Sequence, residues 1–492
     1  MEQTKKGTPP PATVETPDPT ARRFPAPSGV PHLSLEERIA RGRAARKEIP
    51  RASHALYEPN PLRPDPIELL EGQAVTRVPE LVPIRYGRML VSPFTFFRGA
   101  ALIMASDLAA TPRSGLNVQA CGDAHLSNFG VFASPERRLI FDINDFDETL
   151  PAPWEWDVKR LAASFVVAAR GNGFSQKQRQ KIVLDTVGEY RQAMRRFAEM
   201  GNLDVWYTHM AMDTVMDLLK TQFDPKRLRK VNQTLAKART RDSMQAFEKL
   251  THIVEGEPRI LGDPPLIVPI DDLVEGQERE ETETSIKSLI RAYRRTLETD
   301  RRDLLEQFRF VDLARKVVGV GSVGTRAWII LMLGRNDADP LFLQAKEAQA
   351  SVFEGFTGKS QYANAGQRVV AGQRLMQAAS DIFLGWQRVL GIDGQERDFY
   401  VRQLRDWKGS AEVEAMVPDG MAVYGRLCGW TLARAHARSG DRVAIASYLG
   451  SGLAFDQAIV EFSESYADQN ERDYEALVKA VESKKITAQA GL

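Results

Sequence analysis

From Lys316 to Leu333 the chain reads Lys-Val-Val-Gly-Val-Gly-Ser-Val-Gly-Thr-Arg-Ala-Trp-Ile-Ile-Leu-Met-Leu, three glycines between two β-forming stretches. The G-x-G-x-x-G spacing of Gly319, Gly321 and Gly324 suits two architectures. One is a turn that opens a helix toward a pyrophosphate; the other is a loop that joins antiparallel strands and folds over phosphates. The residues that follow separate them. Thr325 to Leu333 is rich in β-branched and aromatic side chains and stops at Gly334, too short for a crossover helix, so strand–loop–strand is expected. A second apolar run, Leu341 to Ala345, follows a proline, and Phe399 to Leu404 supplies another strand, which predicts a small sheet over 311–405.

Elsewhere helical spacing dominates. Apolar residues recur at three and four over 155–253 and 285–316, with Gly and Pro sparse, while Gly256 to Glu283 reads as a loop that turns acidic. Residues 1–33 form a Pro-rich tail that cannot offset its own ordering entropy. A helical lead-in (34–115) opens at Ser34, where Ser-Leu-Glu-Glu has capping-box spacing. The basic run Arg38 to Lys47 lacks interleaved aromatics and reads as a solvated helix face. Residues 116–310 form a mostly helical lobe, 406–480 a helical segment that completes it, and 481–492 a tail.

Lys+Arg 66 against Asp+Glu 65 leaves a net charge of +1, too little to hold nucleic acid or an anionic membrane by its overall field. Cys121 and Cys428 are the only cysteines, too few for a disulfide framework or a four-thiolate zinc site. No apolar run approaches the roughly 20 residues of a membrane span, and the opening segment lacks a secretory h-region. A cytoplasmic location is expected.

The densest polar chemistry lies in Cys121-Gly-Asp-Ala-His-Leu-Ser-Asn-Phe-Gly, the apolar Arg138-Leu-Ile-Phe, and Asp142-Ile-Asn-Asp-Phe-Asp-Glu. A carboxylate and an amide five residues apart, Asp123 and Asn128, can present one group that accepts a hydroxyl proton and one that offers oxygen to Mg²⁺. A further aspartate past the strand would complete the oxygen shell. The plain alternative is that Asp123 and Asn128 only shape turns. An EF-hand over Asp142 to Asp147 fails, because its sixth position is not Gly and its twelfth is Pro153.

Asp123, His125 and Asn128 reproduce the D-x-H-x-x-N spacing that resembles the catalytic loop of aminoglycoside and choline phosphotransferases, in the protein-kinase-like superfamily. Asp145-Phe-Asp resembles their metal-binding I-D-F-D, and Asp157-Val-Lys-Arg-Leu-Ala, twelve residues on, their D-L-A. Lys346 looks like the β3 lysine that reaches the α and β phosphates, although the stretch Gln367 to Ala379 offers no Glu to pair with it. Cys121 stands where those enzymes have His. The glycine loop and lysine follow the catalytic loop instead of preceding it, and Leu432-Ala-Arg-Ala-His436-Ala resembles their L-A-x-L-H; read cyclically, the order is the conventional one. The chain from about 35 to 480 also resembles the bacterial domain of unknown function 2252, by Arg85-Tyr-Gly-Arg-Met, Ser92-Pro-Phe-Thr-Phe-Phe-Arg-Gly, the Asp123 loop and Asn144-Asp-Phe-Asp-Glu-Thr.

The resemblance implies an α+β, kinase-like two-lobe fold in circularly permuted order, mostly helical with a small antiparallel sheet. It implies an ATP- and Mg²⁺-dependent phosphotransferase with an unknown small-molecule or protein acceptor. Asp123 and His125 would be catalytic; Asn128 and Asp145, with Asp142 competing, would hold metal; Gly319, Gly321, Ser322, Gly324, Lys346 and Arg98 would hold nucleotide or substrate phosphates. A catalytically silent nucleotide-binding module and a nucleotidyl transferase are the alternatives.

Overall fold

The computed structural model describes residues 32–220, 223–273, 284, 288–390 and 394–491. The tail expected over 1–33 falls, up to residue 31, outside the described residues, as does most of the acidic stretch that ends at Glu283. The chain is α+β, and among the described residues every strand pair is antiparallel.

The fourteen strands among the described residues are, in chain order, β1 (Asn117–Ala120), β2 (Phe129–Ala133), β3 (Leu139–Ile143), β4 (Leu150–Pro153), β5 (Met210–Ala211), β6 (Thr251–Val254), β7 (Glu257–Ile260), β8 (Ile267–Pro269), β9 (Arg309–Lys316), β10 (Ala327–Leu333), β11 (Pro340–Ala348), β12 (Gly385–Leu390), β13 (Glu396–Gln403) and β14 (Gly409–Ser410). Six of them form the largest sheet, in the order β12-β13-β11-β10-β9-β8. The glycine loop joins neighbouring antiparallel strands, β9 and β10, so it opens no crossover helix. Along β10, Ile329, Leu331 and Leu333 pack with Leu250, Ile260 and Phe342 on one face, while Ile330 and Met332 pack with Tyr293, Leu297 and Leu343 on the other. Burial on both faces explains why this strand reads as a continuous apolar run without alternation.

Three expectations are overturned here. Arg309–Lys316 is strand β9, not the end of a helix. Part of the loop read over 256–283 is ordered: Glu257–Ile260 pairs with Thr251–Val254 across a two-residue turn in which Glu255 and Gly256 both have positive φ, and β8 adds an edge to the large sheet. Glu at the first turn position hides the usual Asn-Gly or Asp-Gly signal. The closing segment is likewise no free tail, for Ile486 is buried and the Gln489 N–H donates to the Pro83 carbonyl at 2.8 Å.

The main core gathers the helices Trp154–Gly171, Gln176–Glu199, Pro418–Ser439 and Ala454–Glu482 around β1 to β4. The helix Leu35–Glu48 begins with the expected capping box, Ser34 and Glu37 bonding each other's backbone N–H. The rest of the lead-in carries the helices Pro66–Ala74, Val82–Met89 and Pro93–Gly99, and these clamp the glycine loop. Val320 packs with Leu70, Tyr86 and Phe96, and Val323 with Val78, Leu81 and Ile84. The Val78 N–H donates to the Gly324 carbonyl at 2.7 Å, Arg88 donates to the Gly319 carbonyl at 2.6 Å, and Arg77 donates to the Val323 carbonyl. No single helix among the described residues is long and apolar enough to cross a membrane.

Candidate functional site

The loop Cys121–Asn128 leaves β1 and returns as β2, and one buried carboxylate braces it. Asp157, in the first turn of the helix Trp154–Gly171, accepts the backbone N–H groups of Cys121 (2.6 Å) and Gly122 (3.0 Å). His436 Nε2 lies 3.1 Å from the same carboxylate, and His436 Nδ1 lies 2.8 Å from the Tyr190 hydroxyl. At Gly122 φ is +86°, and a Cβ there would stand 2.3 Å from the Glu148 carbonyl oxygen, so only glycine lets the loop approach the segment after β3 this closely.

Three residues beyond Asp157 on the same helix, Arg160 donates from Nε to Asp123 Oδ1 at 2.6 Å. The pair fixes Asp123 and leaves Oδ2 toward the cavity, 3.7 Å from His125 Nε2. His125 is buried with its Nδ1 unpartnered, and burial, then the charges of Arg98 and Arg160, hold its pKa well below the usual histidine range, so the ring is neutral. Asn128 Nδ2 donates to the Asp123 carbonyl at 2.7 Å, which leaves the amide oxygen as the end available to a ligand.

Beyond β3 the aspartates part company. Asp142 is 1% exposed; its carboxylate accepts from Arg434 Nη2 (2.8 Å) and from the N–H groups of Ala378 (2.8 Å) and Ile143 (2.9 Å), and it does not line the cavity. Asp145 and Asp147 do line it. Asp147 is the hub: it accepts from Lys346 Nζ at 2.5 Å, Tyr400 Oη at 2.7 Å and Ser322 Oγ at 3.2 Å. Burial alone would raise its pKa, but Lys346 and Tyr400 hold it well below the carboxylate range. Asp145 lies 3.9 Å from Lys346, and burial together with the Asp147 charge pushes its pKa up. Burial opposes the charge on Lys346, yet the two aspartates outweigh it and keep the ammonium protonated. Lys346 therefore stands behind Asp147 and does not itself line the cavity.

The longer of the two helices between β11 and β12, Ala365–Met376, supplies arginine and no glutamate. Arg368 donates to the carbonyls of Asp147 (2.8 Å), Thr149 (2.7 Å) and Gln349 (2.7 Å), tying the aspartate loop to the end of β11. Cys121 donates its thiol to the Asp145 carbonyl at 3.3 Å, so the residue in place of His still joins the two loops.

These groups meet in one cavity of about 280 Å³. Asp123, His125, Asn128, Asp145, Asp147, Glu148, Arg98, Gly319, Gly321 and Ser322 line it; Gly324 and Asp142 do not. The sequence assigns no role to Tyr400, Arg368, Arg160 or Arg77, and Arg85 enters there only through the family resemblance. Arg160 had a signal, the three-residue helical spacing from Asp157 that turns both side chains to one loop. Among the described residues no group of three or more His, Cys, Asp or Glu side chains forms a ready-made metal cage.

The model of a bacterial family described as "Uncharacterized protein conserved in bacteria (DUF2252)" matches residues 77–480, more than half of the chain. No curated protein matches, and no solved structure does.

Proposed function

The chain belongs to this uncharacterised bacterial family, and we propose that it is an ATP- and Mg²⁺-dependent phosphotransferase with a kinase-like two-lobe fold in circularly permuted order. One observation carries the reading. Asp123, Asn128 and Asp145 share a cavity with Gly319 to Ser322, a loop almost 200 residues away in sequence, and Lys346 reaches that cavity's Asp147. The arrangement of an antiparallel strand pair, a glycine loop, a lysine on the next strand and then a helix is the order in which kinases assemble their phosphate-binding half.

Asp123 accepts the proton of the acceptor hydroxyl at Oδ2 while Arg160 fixes the carboxylate. Asn128 and Asp145 hold the cation: Asp145 is half-buried beside a second carboxylate, and that negative charge is lessened when a cation arrives. Mg²⁺ is usually held by one or two carboxylates plus substrate phosphates, which suits a site without an all-protein cage. When bound, the ion would neutralise charge between the β and γ phosphates. Lys346 turns from Asp147 toward the phosphates, and Gly319 to Ser322 cap them. The reading places the protein in the cytoplasm, with a nucleotide and a hydroxyl acceptor as its ligands and no nucleic-acid or membrane partner.

The test is label transfer. Purified protein with Mg-ATP and a small-molecule extract should pass label from the γ-phosphate, and not from the adenine, to an acceptor, and Asp123→Asn should lose the transfer while staying folded. Adenine label in the product would mean nucleotidyl transfer; binding without turnover would mean a silent module.

A further inference from the structure

Among the described residues, three of the five buried arginines and the part-buried Arg63 meet a carboxylate. Arg63 closes on Asp107 and Asp473, Arg160 on Asp123, Arg191 on Asp456 and Arg434 on Asp142. Arg368 meets three carbonyls instead, away from the cavity, whereas the buried Arg85 and the part-buried Arg77 and Arg98 line the cavity without a carboxylate partner. Arg85 is 1% exposed; its Nη2 donates to Gln73 Oε1 (2.9 Å) and the Gly99 carbonyl (3.1 Å), while Nε and Nη1 are buried without a partner. The Arg98 side chain makes no hydrogen bond among the described residues, and its Nε is buried. Arg77 is held through the Val323 carbonyl, its Nε again unpartnered. Among the described residues none of the three lies within ion-pair distance of a carboxylate.

A buried guanidinium without a counter-charge is costly unless an anion supplies one, and its planar fork matches phosphate and carboxylate oxygens. We propose that Arg85, Arg77 and Arg98 are the receptor for a second anionic group, a phosphate or carboxylate carried by the acceptor, so that the acceptor is a small anionic alcohol. This rests on the phosphotransferase reading above and deepens it. The groups assigned to the nucleotide come from the glycine loop, β11 and the aspartate loop, whereas all three arginines come from the lead-in helices and the turn between them. Arg98 lines the same cavity as Asp123 and His125; Asp123 is the charge that most favours its charged form, and Arg98 is the charge that acts most strongly on His125. An anion bound there would hold its hydroxyl within reach of Asp123.

Inorganic phosphate is the probe, titrated calorimetrically into the full chain both alone and with a saturating non-hydrolysable ATP analogue and Mg²⁺. Phosphate should bind with similar affinity in both, and Arg98→Gln should weaken it at least tenfold while analogue affinity changes less than threefold. Arg85→Met should do the same; if that variant fails to fold, Arg98→Gln alone decides. Phosphate binding abolished by the analogue, or both affinities falling together, would assign the arginines to the nucleotide and overturn the proposal. Unchanged phosphate affinity in Arg98→Gln would also overturn it. Failure of the analogue to bind the parent protein would count against the phosphotransferase reading instead, and the phosphate titration without analogue would still judge the anion receptor.

Discussion

Lys346 Nζ lies 2.5 Å from Asp147 Oδ2, on a strand that follows the aspartate loop by about 200 residues, and this pair ties the large sheet to the loop beyond β3. Lys346 is 3% exposed, so either partner left alone keeps a charge in a poorly solvated place. Lys346→Met and Asp147→Asn should each destabilise the fold, by about 3 kcal/mol, the lower end for breaking a buried pair because Asp147 is half-buried. The double variant should cost less than the sum of the two by about 1 kcal/mol or more. Urea denaturation of all four proteins measures this, and strict additivity would mean that the pair is not energetically coupled.

The two aspartates at the end of β3 should separate cleanly by assay. Asp145→Asn removes a cavity oxygen charge that has no arginine partner, so the protein should stay folded and lose Mg²⁺-dependent nucleotide binding by tenfold or more. Asp142→Asn unpairs the buried Arg434 and should lower stability by about 3–5 kcal/mol, with nucleotide affinity per folded molecule little changed. Calorimetric titration and urea midpoints on both variants decide; intact binding in Asp145→Asn would remove that residue from the metal site.

What the sequence disclosed followed from rules that hold locally. The strand after Gly324 could be read because nine β-rich residues cannot make a crossover helix, and Asp123 and Asn128 because their spacing belongs to one loop. Strand β9 was misread because Phe310, Leu313 and Ala314 fall at helical spacing while burial on both faces of the sheet erases the two-residue alternation. Arg368 and Tyr400 were out of reach for another reason. Their partners in the aspartate loop lie more than 200 residues away, and nothing in the neighbouring residues marks them.

Asp157 touches no cavity atom and acts through the loop it braces. Asp157→Asn replaces one acceptor oxygen with a donor facing the N–H groups of Cys121 and Gly122, which should displace Asp123. Under the phosphotransferase reading kcat should fall by tenfold or more, about 1.4 kcal/mol of transition-state stabilisation, while KM for the nucleotide stays within about threefold. Steady-state kinetics with varied ATP gives both constants. A rise in KM alone would place Asp157 in nucleotide binding.

The last prediction concerns acid stability and a residue remote from the cavity. His54 is fully buried; its Nε2 lies 2.7 Å from the Tyr448 hydroxyl, which donates to the Ile49 carbonyl at 2.9 Å, so Nε2 carries the proton. Its Nδ1 has no partner, and burial followed by the nearby Lys159 charge lowers its pKa from 6.5 to about 3. The unfolded chain therefore takes up a proton below about pH 6.5 that the folded chain refuses until about pH 3, and stability falls as pH falls across that window. His54→Gln keeps a donor for Tyr448 and removes the titration. Between about pH 6.5 and pH 5 the parent should lose up to about 2 kcal/mol more than the variant, at roughly 1.4 kcal/mol per pH unit. Urea denaturation at both pH values measures the difference. Parallel losses in the two proteins would show that His54 is not what weakens the fold in acid, since every carboxylate shared by parent and variant cancels in the comparison.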